Sequence, residues 1–227
     1  FTLIILFRVM YYLHLCGFII FVTGINSEII EHYRDAAFSS GSAEGECPEP
    51  GDIAPCVCEN TNGSLSMSCS GIQDEDELAR VFEASYPSRE FKKLSLSMYW
   101  NMTVLRNGVF GDVKFSHVSI VSGALETVED YAFWNMSTTL RVLELQINNL
   151  RTFPFHTLTE CGVLETLTLW ENKLEGTLPQ IVSPSLKTLY LGYNSLTGIS
   201  HGAFNGLPKL EKIALNSAGY ELKNLPK

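Results

Sequence analysis

Leu140-Arg141-Val142-Leu143-Glu144-Leu145-Gln146-Ile147-Asn148-Asn149-Leu150 decides how the chain is read, because it returns twice. The second copy runs from Leu164 through Leu167, Leu169 and Asn172 to Leu174. The third runs from Leu186 through Leu189, Leu191 and Asn194 to Leu196. All three share the frame L-x-x-L-x-L-x-x-N-x-L, so the same positions carry the apolar residues and the asparagine each time.

Weaker copies flank these three. Phe91, Leu94 and Leu96 open one, Phe115, Val118 and Ile120 the next, and Leu210, Ile213 and Leu215 the last. Six units thus begin at 91, 115, 140, 164, 186 and 210, spaced by 22 to 25 residues. This is the frame and period of a leucine-rich repeat, and six units exceed the roughly three that a stable stack needs. The segments between frames keep register as well. Leu105, Val128, Phe153 and Ile199 form one column, Phe110, Phe133, Leu158 and Phe204 a second, and Val113, Met136, Cys161 and Leu207 a third.

The expected fold is therefore an α/β leucine-rich-repeat solenoid, a curved parallel sheet wound into a right-handed superhelix and closed at its N-terminal end by a disulfide cap. Side chains alternate along L-x-L, so the leucines point inward and the intervening residues face solvent on the concave side. Each coil leaves an apolar face that its neighbour covers. Asn148, Asn172 and Asn194 are expected to form a ladder whose amides satisfy backbone groups at the bend after each strand. Tyr99, Gly123 and Ala218 stand near the corresponding places in repeats one, two and six, where the ladder is expected to fail.

The chain has 227 residues, 45% hydrophobic and 18% charged, enough for one core of moderate size. Its formal net charge of −9 argues against nucleic acid and an anionic membrane surface as partners. Tyr11 to Gly24 is apolar apart from His14, with small residues following at Gly24 and Ser27. Residues 1–27 read as a secretory signal peptide rather than a membrane span, which needs about 20 apolar residues. No Met stands at position 1. Met10 is the candidate start, a 5′-truncated frame the alternative. Residues 28–46 read as a solvated linker, 47–90 as a cysteine-rich cap with a short helix, and 91–227 as the repeats. Repeat six dissolves into residues 219–227 without a closing cap, so a truncated C-terminus is expected.

Cys47, Cys56, Cys58 and Cys69 form C-x8-C-x-C-x10-C ahead of the repeats. Four cysteines allow three connectivities. A zinc site is the rival, but C-x-C is unusual where C-x2–4-C is the norm. The arrangement is similar to the N-terminal cap of extracellular leucine-rich-repeat proteins, in which the first cysteine pairs with the third and the second with the fourth. The resemblance implies Cys47–Cys58 and Cys56–Cys69, staples that close the first repeat's exposed end. After them Asp74 is positioned to cap a helix with Glu77 as its reciprocal partner, and Leu78, Val81 and Phe82 share one face of it. Cys161 is expected to be a small buried apolar side chain. The alternative is a bond to a cysteine beyond the present sequence.

The block from Cys47-Pro48-Glu49-Pro50-Gly51 through Ile53-Ala54-Pro55-Cys56-Val57-Cys58 resembles the opening of a set of arthropod secreted leucine-rich-repeat proteins. They are named for one member, the non-catalytic subunit of the Oplophorus luciferin monooxygenase. Glu77-Leu78-Ala79-Arg80-Val81-Phe82, Gly108-Val109-Phe110, Phe153-Pro154-Phe155 and Ser217-Ala218-Gly219 fit the same set. The resemblance covers residues 47 to about 222 and implies a secreted accessory or binding protein with no catalytic residue to carry over.

Three N-x-S/T sequons, at Asn62, Asn101 and Asn135, are candidate glycosylation sites in a secreted chain. Asn135 is expected to face outward between Phe133 and Met136. Gly198-Ile199-Ser200-His201-Gly202 matches the hydrolase elbow G-x-S-x-G, but Ile199 and Phe204 belong to core columns, where that motif needs a strand and then a helix. His14, His32, His117, His156 and His201 show no metal spacing, and no phosphate-binding glycine loop precedes a helix. No cofactor or metal is expected, and no enzyme.

The solvent-facing columns are Lys93, His117, Val142, Thr166, Thr188 and Lys212; Ser95, Ser119, Glu144, Thr168, Tyr190 and Ala214; and Ser97, Val121, Gln146, Trp170, Gly192 and Asn216. Glu144, Gln146, Trp170 and Tyr190, with Tyr193 at the rim, make the candidate partner-binding patch, since exposed aromatics beside a carboxylate are hot-spot material. The bland reading is a set of solvated strand residues, because aromatics favour strands anyway. The expected function is that of a secreted, non-catalytic protein that binds an extracellular protein partner through this face, as the accessory subunit of a complex. The alternative is innate-immune recognition of a glycan or microbial surface.

Overall fold

A computed structural model describes residues 45–216. The signal segment 1–27, the linker up to residue 44, Cys16 and residues 217–227, which include Ala218, lie outside the described residues.

The cap opens with an antiparallel hairpin, β1 (Cys56–Thr61) and β2 (Ser64–Ser70). Asn62 and Gly63 form its two-residue turn, both at positive φ (53° and 81°), the geometry for which Asn-Gly is favoured. Cys56 lies directly opposite Cys69 across this ladder, and the two are bonded with their Cα atoms 4.1 Å apart. Cys47 is bonded to Cys58. The pairing implied by the resemblance to extracellular caps is therefore the one present. Helix α1 (Glu75–Glu83) follows, and Asp74 Oδ1 accepts from the backbone N–H groups of Asp76 (3.1 Å) and Glu77 (2.9 Å). Glu77 reaches one residue further back than a capping box requires, accepting from Gln73 N–H at 2.6 Å. Leu78, Val81 and Phe82 are buried on one face, where Phe82 meets Phe110 edge-on at 5.1 Å.

The repeats supply β3 (Glu90–Ser97), β4 (Val104–Leu105), β5 (Lys114–Ile120), β6 (Thr127–Val128), β7 (Val142–Glu144), β8 (Thr166–Thr168), β9 (Glu175–Leu178), β10 (Thr188–Tyr190), β11 (Ser195–Ile199) and β12 (Lys212–Ala214). Six of these join the hairpin in one eight-stranded sheet ordered β1-β2-β3-β5-β7-β8-β10-β12. All its pairings are parallel except β1 with β2. The cap is thus not a separate lid. Strand β2 runs alongside β3 with Met67 opposite Leu94 and Cys69 opposite Leu96, so the disulfide-bonded hairpin extends the sheet and covers its first edge.

Register follows the repeat frame. Lys93, His117, Val142, Thr166, Thr188 and Lys212 are paired in one row, and Leu94, Val118, Leu143, Leu167, Leu189 and Ile213 in the next. The first five of that leucine row are buried, while Ile213, in the last described coil, is 37% exposed. On the return side short parallel pairs, β4 with β6 and β9 with β11, link successive coils. Leu105, Val128, Phe153 and Ile199 are buried there, as are Phe110, Phe133 and Leu158 and, in the third column, Val113, Met136 and Leu207; Phe204 and Cys161 are only partly covered.

The asparagine ladder is present and extends further than expected. Asn172 Nδ2 donates to Leu145 O (2.9 Å) and Leu169 O (3.2 Å), and its Oδ1 accepts from Leu150 N–H at 3.1 Å. Asn194 does the same with Leu169 O, Leu191 O and Leu174 N–H. Asn148 bonds Ile120 O and Leu145 O, but its Oδ1 accepts from the Tyr99 hydroxyl at 2.7 Å. Tyr99 is fully buried, so repeat one does not drop out of the ladder. Its phenol crosses repeat two, where Gly123 leaves room: a Cβ there would sit 2.2 Å from the ring. Burial pushes the phenol's pKa above the ordinary tyrosine value, partly countered by Asn148, so it stays a donor.

The residue before each ladder position adopts positive φ: Met98 (57°), Ser122 (58°), Ile147 (59°), Glu171 (53°) and Tyr193 (55°). This left-handed turn bends the chain out of the strand and aims the next side chain at the ladder. The geometry is set by the stack rather than by local preference, since neither Ile nor Met favours it.

Candidate functional site

On the solvent face of the sheet the aromatic residues are held in place. Trp170, just past β8, meets Tyr193 edge-to-face at 5.1 Å between centroids. Its ring lies over Gly192, where a Cβ would come within 3.2 Å of it. A Cβ there would meet Asn216 first, its Oδ1 at 2.7 Å and its backbone O at 2.8 Å. Tyr193 is 42% exposed and Trp170 half-buried. Toward the last edge of the sheet, Lys212 Nζ on β12 stands 5.0 Å from the centre of the Tyr190 ring on β10. Tyr190 pairs with Ala214, so this is a diagonal cross-strand contact.

Glu144 turns toward the other end of the sheet. Its Oε2 lies 2.9 Å from His117 Nε2 on β5. Burial alone would raise its pKa, but hydrogen bonds from His117 and Ser119 and the positive charge of Lys93 outweigh that and hold it below the ordinary carboxylate value. Ser119, on the solvent-facing column, is covered by this cluster and only 8% exposed. Gln146 lies between the two groups by register, and its Oε1 is buried without a partner.

The predicted patch of Glu144, Gln146, Trp170, Tyr190 and Tyr193 is therefore on one face but divided into two clusters. One is aromatic and basic (Trp170, Tyr190, Tyr193, Lys212), the other polar (His117, Ser119, Glu144). The reach of Lys212 and His117 toward their partners depends on diagonal contacts between coils, which the columns of the sequence list but do not connect.

Of the sequons, Asn62 and Asn101 are exposed. Asn135 differs from expectation. Its Nδ2 donates to Gly111 O (2.6 Å) and Val113 O (3.1 Å), and its Oδ1 is buried without a partner. The 3₁₀ turn Trp134–Met136 points the amide at the preceding coil and presents Trp134 to solvent instead. Ser200 follows β11 and enters a turn, not a helix, its N–H bound to Leu178 O at 3.0 Å. Cys161 is the free cysteine among the described residues, partly buried, with burial and then Glu160 raising its thiol pKa. Among the described residues no group of His, Cys, Asp and Glu is arranged to hold a metal ion, and no helix is long and apolar enough to cross a membrane.

One contact between cap and repeats was not legible beforehand. Glu75 Oε1, in the first turn of α1, accepts from Thr103 N–H (2.7 Å), Thr103 Oγ1 (3.1 Å) and Val104 N–H (2.9 Å). Burial works to raise the Glu75 pKa, and the hydrogen bonds from its own backbone, Val104 and Thr103 more than cancel it, leaving the carboxyl below its ordinary value.

Residues 162–217 match the family model for leucine-rich repeats. Over 168 residues, 73% of the chain, the sequence is 34% identical to the Oplophorus-luciferin 2-monooxygenase non-catalytic subunit of Oplophorus gracilirostris. The aligned region spans 46% of that relative, less than half its length. Among solved structures, a chain in the crystal structure of a TLR13–ssRNA13 complex superposes with a TM-score of 0.47 at 19% identity, covering 63% of this chain and 23% of its own. With six in-register repeat strands, an asparagine ladder and the match to the leucine-rich-repeat model, the chain has a leucine-rich-repeat fold with a disulfide-bonded N-terminal cap, and its sequence is similar to the non-catalytic subunit of the Oplophorus monooxygenase.

Proposed function

We propose that this chain is a secreted, non-catalytic binding protein that engages a protein partner through the solvent-facing, concave side of its sheet, as an accessory subunit of an extracellular complex. The observation that carries this reading is the preset aromatic cluster. Trp170 packs edge-to-face against Tyr193 beside Gly192, so less side-chain freedom is lost when a partner covers it. Rigid Trp and Tyr side chains supply most hot-spot energy in protein interfaces. The relative's own name, a non-catalytic subunit, fits an assembly role. The two disulfides fit an oxidising compartment.

The test is binding of the partner co-purified from the secretions of the source tissue to wild type, Trp170→Ala and Tyr190→Ala. Hot-spot truncation costs about 2 kcal/mol, roughly thirtyfold in Kd. Unchanged affinity in both variants rejects this face. The glycan-recognition reading rests on the same rings, which suit sugar stacking, and a glycan array separates the two. Under the secreted reading Asn62 and Asn101 are the sequons placed to carry glycans, and Asn135, already bonded to the preceding coil, is the least suited.

A further inference from the structure

Behind the sheet, between the return segments of repeats two and three, the coils do not close. A cleft of about 530 Å³ remains, within the range of small-molecule sites. Its floor is Leu143 and Leu164, which belong to the core, and Phe133, Phe153 and Leu158 form its walls. Cys161, which lines it, holds the column place taken by the longer Met136 in the coil before and Leu207 in a later one.

The mouth has a definite chemistry. Tyr131 and Trp134 stand beside it 62% and 68% exposed. Glu129, Asp130 and Glu160 line it, with His156 as the single basic side chain, 3.4 Å from Asp130. Glu129 Oε2 already accepts from Asn107 N–H at 2.6 Å, but the carboxylates still outnumber the basic side chain, so the mouth disfavours an anion and favours a cation, and aromatic faces add to that preference.

We propose that this cleft is a binding site for a small amphipathic amine, its aromatic or aliphatic body seated on Leu143 and Leu164 and its cationic head held among Glu129, Asp130, Glu160 and the ring of Trp134. The site is independent of the sheet face, which is turned the other way. Cys161 lines the cleft, and since burial raises its thiol pKa it reacts slowly, so its rate of alkylation reports whether the cleft is occupied.

The probes are 4-phenylbutylamine, 4-phenylbutanol and 4-phenylbutyrate, which share a body and differ in head group, titrated into the full chain with tryptophan fluorescence as readout. The amine is expected to bind about tenfold or more tighter than the acid, with the alcohol between. Cys161→Phe, which fills the cleft, is expected to abolish amine binding while leaving the circular dichroism spectrum intact. Should that variant fail to fold, alkylation of Cys161 by N-ethylmaleimide in the unaltered chain, located by peptide mass spectrometry, replaces it, and the amine is expected to slow it severalfold. Absence of binding by all three compounds, equal affinity for amine and acid, amine binding that survives Cys161→Phe, or alkylation unaffected by the amine overturns the proposal.

Discussion

The Tyr99 hydroxyl donates to Asn148 Oδ1 at 2.7 Å across 49 residues of sequence, passing over Gly123 on the way. In repeats four and five the same amide oxygen accepts from a backbone N–H of the preceding coil. Here a phenol from two coils back replaces it. Tyr99→Phe leaves Asn148 Oδ1 buried without its donor, which costs about 1–3 kcal/mol. Chemical denaturation is expected to show that loss with the denaturant slope unchanged. Gly123→Ala is expected to cost more, since its Cβ would overlap the ring and force the phenol out altogether. If Gly123→Ala is neutral, Tyr99 does not occupy this path.

Asn172 is the central rung. Replacing it with Ala removes three donated bonds, the longest to Trp170 O at 3.5 Å, and strands the Leu150 N–H in the core. The expected destabilisation is about 2–4 kcal/mol, summing one orphaned backbone donor and the lost carbonyl contacts. Hydrogen exchange at the Leu150 amide is expected to accelerate first, because the loss is local to the bend between repeats three and four.

Ile147 makes the opposite case. It is β-branched, 41% exposed and held at φ 59°. A left-handed conformation costs such a residue about 1–2 kcal/mol, and Asn tolerates it better. Ile147→Asn is expected to raise stability by about 1 kcal/mol, read as a higher midpoint in thermal melting. A fall in the midpoint would mean that the exposed side chain makes contacts worth more than the strain.

The Glu75 bonds to Thr103 and Val104 link cap to repeats and carry a pH signature. The carboxyl's folded pKa lies below its ordinary value of 4.5, so the charged form is favoured by folding. Its contribution is present above that value and is lost as pH falls through the folded pKa. Glu75→Ala is expected to lower stability at neutral pH by about 1–2 kcal/mol, with the difference from wild type shrinking below about pH 4. A pH-independent difference would assign the loss to packing.

Cys56→Ser with Cys69→Ser removes the bond across the hairpin that forms the sheet's first edge. About 2–4 kcal/mol is the usual loss. Because β2 pairs directly with β3, exchange protection of the β3 amides is expected to fall along with that of the cap.

The sequence by itself determined the repeat. The spacing of leucines and asparagines fixes which side chains point inward, and six strands took the register that spacing implied because a one-residue slip would turn every leucine of a coil to solvent. The helix after the cap was legible for the same reason: Leu78, Val81 and Phe82 repeat at helical spacing behind a capping aspartate. The cysteine pairing was legible only through the resemblance to extracellular caps, since three connectivities satisfy the spacing alone. What the tertiary structure decided is what passes between coils. Tyr99 reaching over Gly123, Asn135 turning back onto Gly111, Trp170 packing on Tyr193, His117 bonding Glu144, and the cleft lined by Cys161 all join residues on different turns of the stack. Periodicity says which residues share a column. It does not say which side chain is long enough to cross to the next coil, because that depends on the volume its neighbours leave free.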